Sequence, residues 1–202
     1  MKLAILDRDG VINQDSDSYI KGPDEWRPIP GSLEAIARLN HAGYHVVLAT
    51  NQSGVGRGLF EVSTLNAIHD KMHRALAQIG GRIDAIFFCP HAHDANCNCR
   101  KPKAGLLEEI AHRFNVDLAG APVIGDSLRD LQAGATVGAR PILVLTGKGT
   151  KTRQVGGLPE RTEIYADLAE AVRAVVRPMA DYLVAQGRRL PDFMAAVAAA
   201  EV

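Results

Sequence analysis

Short apolar runs recur along the chain at residues 3–6, 45–49, 83–88 and 122–124, with a further one at 142–145. Each of the first four gives way to a polar or glycine-bearing turn and then to a stretch with helical spacing of its apolar positions. This rhythm of strand and helix predicts an α/β fold, a Rossmann-like parallel sheet with helices on both faces. Continuously apolar strands fit such a sheet, because both of their faces are covered. Helices are expected over 32–41, where Leu33, Ile36, Ala37 and Leu39 form the stripe, Ser32 can cap the start and Gly43 can end it. A second is expected over 63–79, with Leu65, Ile68, Met72, Leu76 and Ile79, and others over 104–114, 128–137 and 168–176. These stripes are core packing. Beyond them come Pro178, an apolar pattern at 179–184, the run Gln186-Gly187-Arg188-Arg189 and an alanine-rich stretch of high helix propensity to Val202. The expected organisation is one domain over 1–177 and a helical extension over 178–202.

A length of 202 residues suits one such domain, large enough to bury a core without staples. Acidic and basic residues balance at 23 each, which argues against nucleic acid as a partner, since groove binding needs a concentrated basic face. No apolar run approaches the length of about 20 that spans a bilayer, and Met1 leads directly into a short strand. A cytoplasmic protein without membrane association is expected, a monomer by default.

Polar residues matter where they sit, because ligands of open parallel sheets bind beyond the carboxyl ends of the strands. The run Ala4-Ile5-Leu6-Asp7-Arg8-Asp9-Gly10 puts two carboxylates at such an end, two residues apart and so on one side of the strand. Buried there, they cost stability unless a cation or hydrogen bonds offset them. After the second strand comes Thr50-Asn51-Gln52-Ser53-Gly54-Val55-Gly56-Arg57-Gly58, whose small side chains and glycines let backbone N–H groups approach phosphate oxygens. Arg100-Lys101-Pro102 places positive charge just before a helix, and Gly125-Asp126-Ser127-Leu128-Arg129-Asp130 adds carboxylates after the fourth strand.

In order and type, the D-x-D-G pair, the T-N-Q-S-G strand end, the lysine before a helix and the G-D-x-x-x-D element resemble the motifs of the haloacid dehalogenase superfamily over about residues 1 to 146. The resemblance implies a two-step phosphoryl transfer with Asp7 as nucleophile and Asp9 as acid and base. It implies Mg²⁺ held by Asp7, the backbone carbonyl of Asp9 and Asp126, with Thr50 and Asn51 donating to the phosphoryl group and Lys101 balancing its charge. Asp130 is expected to orient its neighbours. Gln14 to Pro30 is too short for a cap domain, so a capless enzyme is expected.

All three cysteines fall in one stretch, Cys89-Pro90-His91-Ala92-His93-Asp94-Ala95-Asn96-Cys97-Asn98-Cys99. Clustering of this kind favours metal over disulfide chemistry, and three thiolates with one imidazole form a closed set suited to structural Zn²⁺. His91 is preferred over His93 because the family pattern it resembles has Cys-x-His at this place. Capless members with such a loop are similar to two groups, which hydrolyse the C7 phosphate of D-glycero-D-manno-heptose 1,7-bisphosphate, in ADP-heptose and lipopolysaccharide core synthesis, or histidinol phosphate. The motifs, including C-x-C-R-K-P, look closer to the first. A phosphorylated sugar is then the expected partner. Arg57 and Arg100 are candidates for a second phosphate, Gln52 and Ser53 for the phosphate turn, and Asp15 and Tyr19 for a flap near the sugar. An inactive phosphate-binding scaffold would not need both nucleophile and acid.

Overall fold

A computed structural model gives the architecture, and the structure describes residues 1–185. Six strands form one sheet, in the order β3-β2-β1-β4-β5-β6. They are β1 (Lys2–Leu6), β2 (Tyr44–Asn51), β3 (Ala85–Cys89), β4 (Pro122–Gly125), β5 (Arg140–Val144) and β6 (Glu163–Tyr165), parallel throughout. Five occupy the places expected from the apolar runs. The sixth has the sequence Glu-Ile-Tyr, too short and polar to stand out, and pairs with the outer edge of β5 from Ile142↔Glu163 to Val144↔Tyr165. Arg140 of β5 pairs with Glu163 across that edge, and Tyr165 donates to the same carboxylate at 2.7 Å.

The helices are α1 (Ser32–His41), the single turn α2 (Ser53–Gly56), α3 (Val62–Ala77), α4 (Gly105–Phe114), α5 (Leu128–Thr136), α6 (Gly149–Val155) and α7 (Leu168–Ala185). Helix α6 lacks an apolar stripe, burying only Gly149 and Thr152, which is why periodicity does not find it. Ser32 does not cap α1. Gly31 takes that place with φ 81°, and the Ser32 hydroxyl instead donates to the Val11 carbonyl at 2.9 Å, tying the helix to the chain after β1. Gly43 follows the helix with φ 81°, the left-handed turn that glycine adopts without penalty. Ile79 lies past the end of α3 and is 39% exposed, so it leaves the stripe. Helix α7 runs through residue 177, and the alanine-rich stretch over 186–202 lies outside the described residues.

The period-two geometry of β1 explains its unbroken apolar sequence. Ala4 and Leu6 join one core with α1, α3 and α7, through residues such as Ile36, Ile68, Met72 and Val172. Leu3 and Ile5 join the other, with Leu106, Leu107 and Ile110 of α4 and Ala133 of α5. Each such fully buried Leu or Ile is worth about 1.5–3 kcal/mol. The sheet is thereby fixed in register, and the strand ends with it.

β1 pairs with both β2 and β4, so the reversal of strand order falls beside β1. The ends of β1, β2 and β4 deliver Asp7, Thr50 and Asp126 to one place. Residues 14–30 do not form a cap but fold back as a strap. Gln14 N–H donates to the Arg27 carbonyl at 3.0 Å and Ile29 N–H to the Ile12 carbonyl at 2.8 Å. Trp26 is buried in the core, and the Lys71 ammonium donates to the carbonyls of Pro23 and Trp26 at 2.7 and 3.2 Å.

Candidate active site

At the reversal point the strand ends surround an open, polar cavity of about 280 Å³. Its lining includes Asp7, Asp9, Thr50, Asn51, Ser53 and Asp126. The Asp7 N–H donates to the Ile124 carbonyl at 2.9 Å, which ties β1 to β4 where the carboxylates emerge. Lys101, only 3% exposed, sits among them: its ammonium lies 2.6 Å from Asp130, 3.2 Å from Asp7 and 2.5 Å from the Ala49 carbonyl. Burial disfavours its charge, but Asp130 and Asp7 outweigh that and raise its pKa.

Asn51 explains how a loop residue reaches so deep. Its amide donates to the Lys101 carbonyl at 3.1 Å and accepts from the Lys101 N–H at 3.2 Å, clamping the lysine segment onto the end of β2. Donation from the same side chain to a phosphoryl oxygen would have to use its second amide hydrogen. Gln52 is buried and turned inward, donating to Asp9 and to the Thr50 hydroxyl oxygen at 3.0 Å each. Thr50 keeps its own hydroxyl hydrogen for the cavity. Asp130 accepts from the Ser127 N–H at 3.0 Å and from its hydroxyl, closing the capping box at the start of α5, while its other oxygen meets Lys101.

Carboxylate oxygens of Asp7, Asp126 and Asp130 lie within 4.8 Å of one another. One lysine serves Asp7 and Asp130, while Asp126 receives a backbone N–H, from Lys148 at 2.7 Å. Burial, then repulsion from Asp130 and Asp7, pushes Asp126 up to about 8. Burial also takes Asp7 to about 6, with Lys101 pulling down and Asp130 and Asp9 pushing up. A cluster of hard oxygen donors short of positive charge is suited to a hard divalent cation. Asp9 goes the other way. Burial opposes its charge, but the Arg8 guanidinium and hydrogen bonds from Asn13 and Gln52 prevail and hold it below the ordinary value.

Some contributors escape sequence reasoning. Thr146-Gly147-Lys148 follows β5 as a glycine-bearing strand-end turn, the same signal that marks the other loops. Thr146 donates to the Gly10 carbonyl at 2.6 Å, and a Cβ on Gly10 or Gly147 would fall 2.1 or 2.2 Å from Asp126 Oδ2. Both glycines have positive φ, so these two loops close on Asp126 only because neither carries a side chain. The Lys148 ammonium pairs with Asp15 of the strap at 2.7 Å. Asp15, Tyr19, Arg57, Arg100, Arg129 and Lys148 also line the cavity.

Beside it, Cys89, His91, Cys97 and Cys99 place one ligand atom each within 4.8 Å of the others. Cys89 and Cys97 sulfurs are 3.6 Å apart, and His91 Nδ1 is 3.2 Å from Cys99 and 3.6 Å from Cys89. A tetrahedron with Zn–S bonds of about 2.3 Å has edges of about 3.8 Å. Burial and the neighbouring sulfurs push the Cys99 thiol up to about 12, so three thiolates here need a cation. His93 instead lines the cavity. The loop also packs on the segment carrying Arg57: Gly56 N–H donates to the Pro90 carbonyl at 2.8 Å.

Residues 98–171 match the HAD-hydrolase-like family model, and residues 2–127 the polynucleotide kinase 3 phosphatase model. A D-glycero-beta-D-manno-heptose-1,7-bisphosphate 7-phosphatase of Bordetella bronchiseptica is 63% identical over 177 residues, covering 88% of this chain and 99% of its own. This chain belongs to that family. The enzyme of the same name from Pseudomonas putida is 51% identical over 87% of this chain and 100% of its own. Among solved structures, D,D-heptose 1,7-bisphosphate phosphatase from B. bronchiseptica, complexed with magnesium and phosphate, superposes with a TM-score of 0.87 at 62% identity, covering 88% of this chain and 99% of that one. Membership in the heptose bisphosphate phosphatase family makes the chain a HAD-type phosphoric monoester hydrolase and fits its parallel sheet, its strap in place of a cap and its carboxylate cluster.

Proposed function

We propose that this chain removes the C7 phosphate of D-glycero-beta-D-manno-heptose 1,7-bisphosphate, with Mg²⁺ at Asp7, Asp126 and the Asp9 carbonyl and structural Zn²⁺ at Cys89, His91, Cys97 and Cys99. The observation that carries this reading is the convergence of Asp7, Lys101 and Asp126 at the strand-order reversal, in a chain 63% identical to a named enzyme of that activity. Asp7 attacks phosphorus in line and becomes an aspartyl phosphate. Lys101 and the Thr50 hydroxyl balance charge on the equatorial oxygens, and backbone N–H groups of the 51–53 turn approach them. Asp9, held ionised in the free site, gains a proton once the substrate phosphate brings its negative charge beside it, gives that proton to the departing C7 alkoxide, then takes one from the water that hydrolyses the intermediate. Magnesium, when bound, supplies charge neutralisation that lets carboxylate and phosphate meet. Arg57 and Arg100, on two loops joined through Gly56 and Pro90, hold the C1 phosphate, and Asp15 and Tyr19 of the strap face the sugar.

Phosphate release from heptose bisphosphate and from histidinol phosphate, with ³¹P NMR to identify the phosphate lost, tests the substrate. The expected preference for the heptose ester in kcat/KM is on the order of 10²-fold or more, with the C7 phosphate lost first. Preference for histidinol phosphate, or loss of the C1 phosphate, overturns it.

Zinc is expected to act through position. The loop that ends at Cys99 continues directly into Arg100 and Lys101, so Cys97→Ser or removal of zinc with a chelator should raise KM several-fold and lower Tm. Metal analysis run beside the kinetics checks this. Unchanged KM in zinc-free protein would dissociate the loop from the substrate.

A further inference from the structure

The proposed acid and base, Asp9, is held by a set of buried side chains with no other task in the reaction. Its Oδ1 accepts from Asn13 Nδ2 at 2.8 Å and from Arg8 Nε and Nη2 at 3.1 and 3.0 Å. Its Oδ2 accepts from Arg8 Nη2 and Gln52 Nε2, both at 3.0 Å. A carboxylate has about four lone-pair sites, so these contacts leave it little freedom to turn. Arg8 is fully buried, and a buried guanidinium must place its remaining N–H groups. One goes to Gln52 Oε1 at 3.2 Å and another to His69 Nε2 at 3.3 Å. Arginine only donates, so His69 accepts as a neutral ring with its proton on Nδ1. Asn13 is committed to the same carboxylate: its amide NH₂ serves Asp9 while its Oδ1 is buried without a hydrogen-bond partner.

Resting on the assignment of Asp9 above, we infer that Arg8, Gln52 and Asn13 set the direction of the Asp9 carboxyl group and that His69, from α3, is a positioning residue that fixes Arg8. His69 interrupts the apolar stripe of α3 between Leu65, Ile68 and Met72, and is buried with them. It reaches the reaction only through Arg8.

An acid that protonates the leaving group matters for a sugar alkoxide and little for a nitrophenolate. The values of kcat/KM for heptose bisphosphate and for p-nitrophenyl phosphate, which report the step up to phosphoenzyme formation, therefore separate positioning from bulk structural damage. His69→Ala is expected to lower the sugar ester value at least tenfold more than the aryl ester value, and His69→Gln, which restores an acceptor, to recover most of the difference. Asn13→Leu, which removes a different contact to the same carboxylate, should show the same bias if His69→Ala fails to fold. Equal losses on both esters, or no loss, overturn the inference. Asp9→Asn in the same assay distinguishes the two failures: if it shows the bias and the His69 and Asn13 variants do not, the positioning role alone falls. If Asp9→Asn shows no bias, the assignment of Asp9 falls and the positioning role with it. Because the contrast lies in the leaving group, a wild-type preference for another alkyl phosphate would overturn the substrate and leave the contrast readable on that ester.

Discussion

Asp7→Asn is expected to lower kcat/KM for the sugar phosphate by on the order of 10⁴-fold or more, about 5.5 kcal/mol of transition-state stabilisation, while raising Tm in metal-free buffer. An amide of the same shape cannot attack phosphorus, so the kinetic loss needs no change in fold. The stability gain follows from which charges win at the site. Asp7 is paired with Lys101 at 3.2 Å, yet burial and the neighbouring carboxylates outweigh that pairing and carry its pKa to about 6. A folded pKa above the unfolded value means that ionised Asp7 opposes folding, a penalty that grows as pH rises from about 4 through 6. A neutral asparagine escapes it. The Tm advantage of the variant should therefore be largest near pH 8 and shrink as pH falls toward 4. Saturating Mg²⁺ should stabilise the wild type more than the variant, which has lost a ligand. Thermal melts with chelator or Mg²⁺, run beside turnover, check both effects. A variant that is less stable than wild type at pH 8 without metal would contradict this electrostatic account.

The same site shows what a sequence can and cannot say. Asp7, Thr50, Lys101 and Asp126 lie at the ends of apolar strands or the entrance of a helix, positions that hydrophobic pattern and turn chemistry mark. Their convergence follows once the sheet is parallel, because every strand then ends on the same side. The cysteine stretch was legible for a different reason: three cysteines and two histidines within eleven residues leave few alternatives to one cluster, with only His91 or His93 to choose as its fourth member. Lys148 belongs to a strand-end turn of the same kind, but its nearest acidic partners, Asp15 and Asp126, are distant in sequence, and only the strap and the β4 loop bring them to it. His69 was hidden by its own surroundings. A histidine within an apolar stripe gives no sign that a buried arginine sixty-one residues away needs an acceptor. The roles of Asn51 and Gln52 are likewise matters of side-chain direction. Both lie in the turn that sequence marks for phosphate, and both turn their side chains to protein partners, Lys101 and Asp9.

Lys101→Met should have the opposite sign on stability from Asp7→Asn, although both disable the same site. Its removal leaves Asp7 and Asp130 buried with the pairing cation gone, and breaking a buried pair from one side costs about 3–5 kcal/mol. Methionine keeps the volume, so the loss is electrostatic rather than a cavity. Turnover should fall by on the order of 10²- to 10³-fold, the effect of losing one charge-stabilising donor in a closed site. In the wild type the folded pKa of Lys101 is raised, so its contribution is complete below the unfolded value of 10.5 and is lost only as pH climbs through the folded one. No loss from this group is expected between pH 5 and 9. In the variant Asp7, no longer pulled down by Lys101, takes up its proton more readily, and the variant's deficit relative to wild type should narrow as pH falls from 8 to 5. The double variant Asp7→Asn with Lys101→Met then isolates the coupling. Removing the carboxylate should restore part of the stability lost with the lysine and none of the activity, since the nucleophile is gone. Stabilities that simply add would mean that Lys101 answers to Asp130 alone, whose closer contact at 2.6 Å would then be the whole reason for burying a lysine at this strand end.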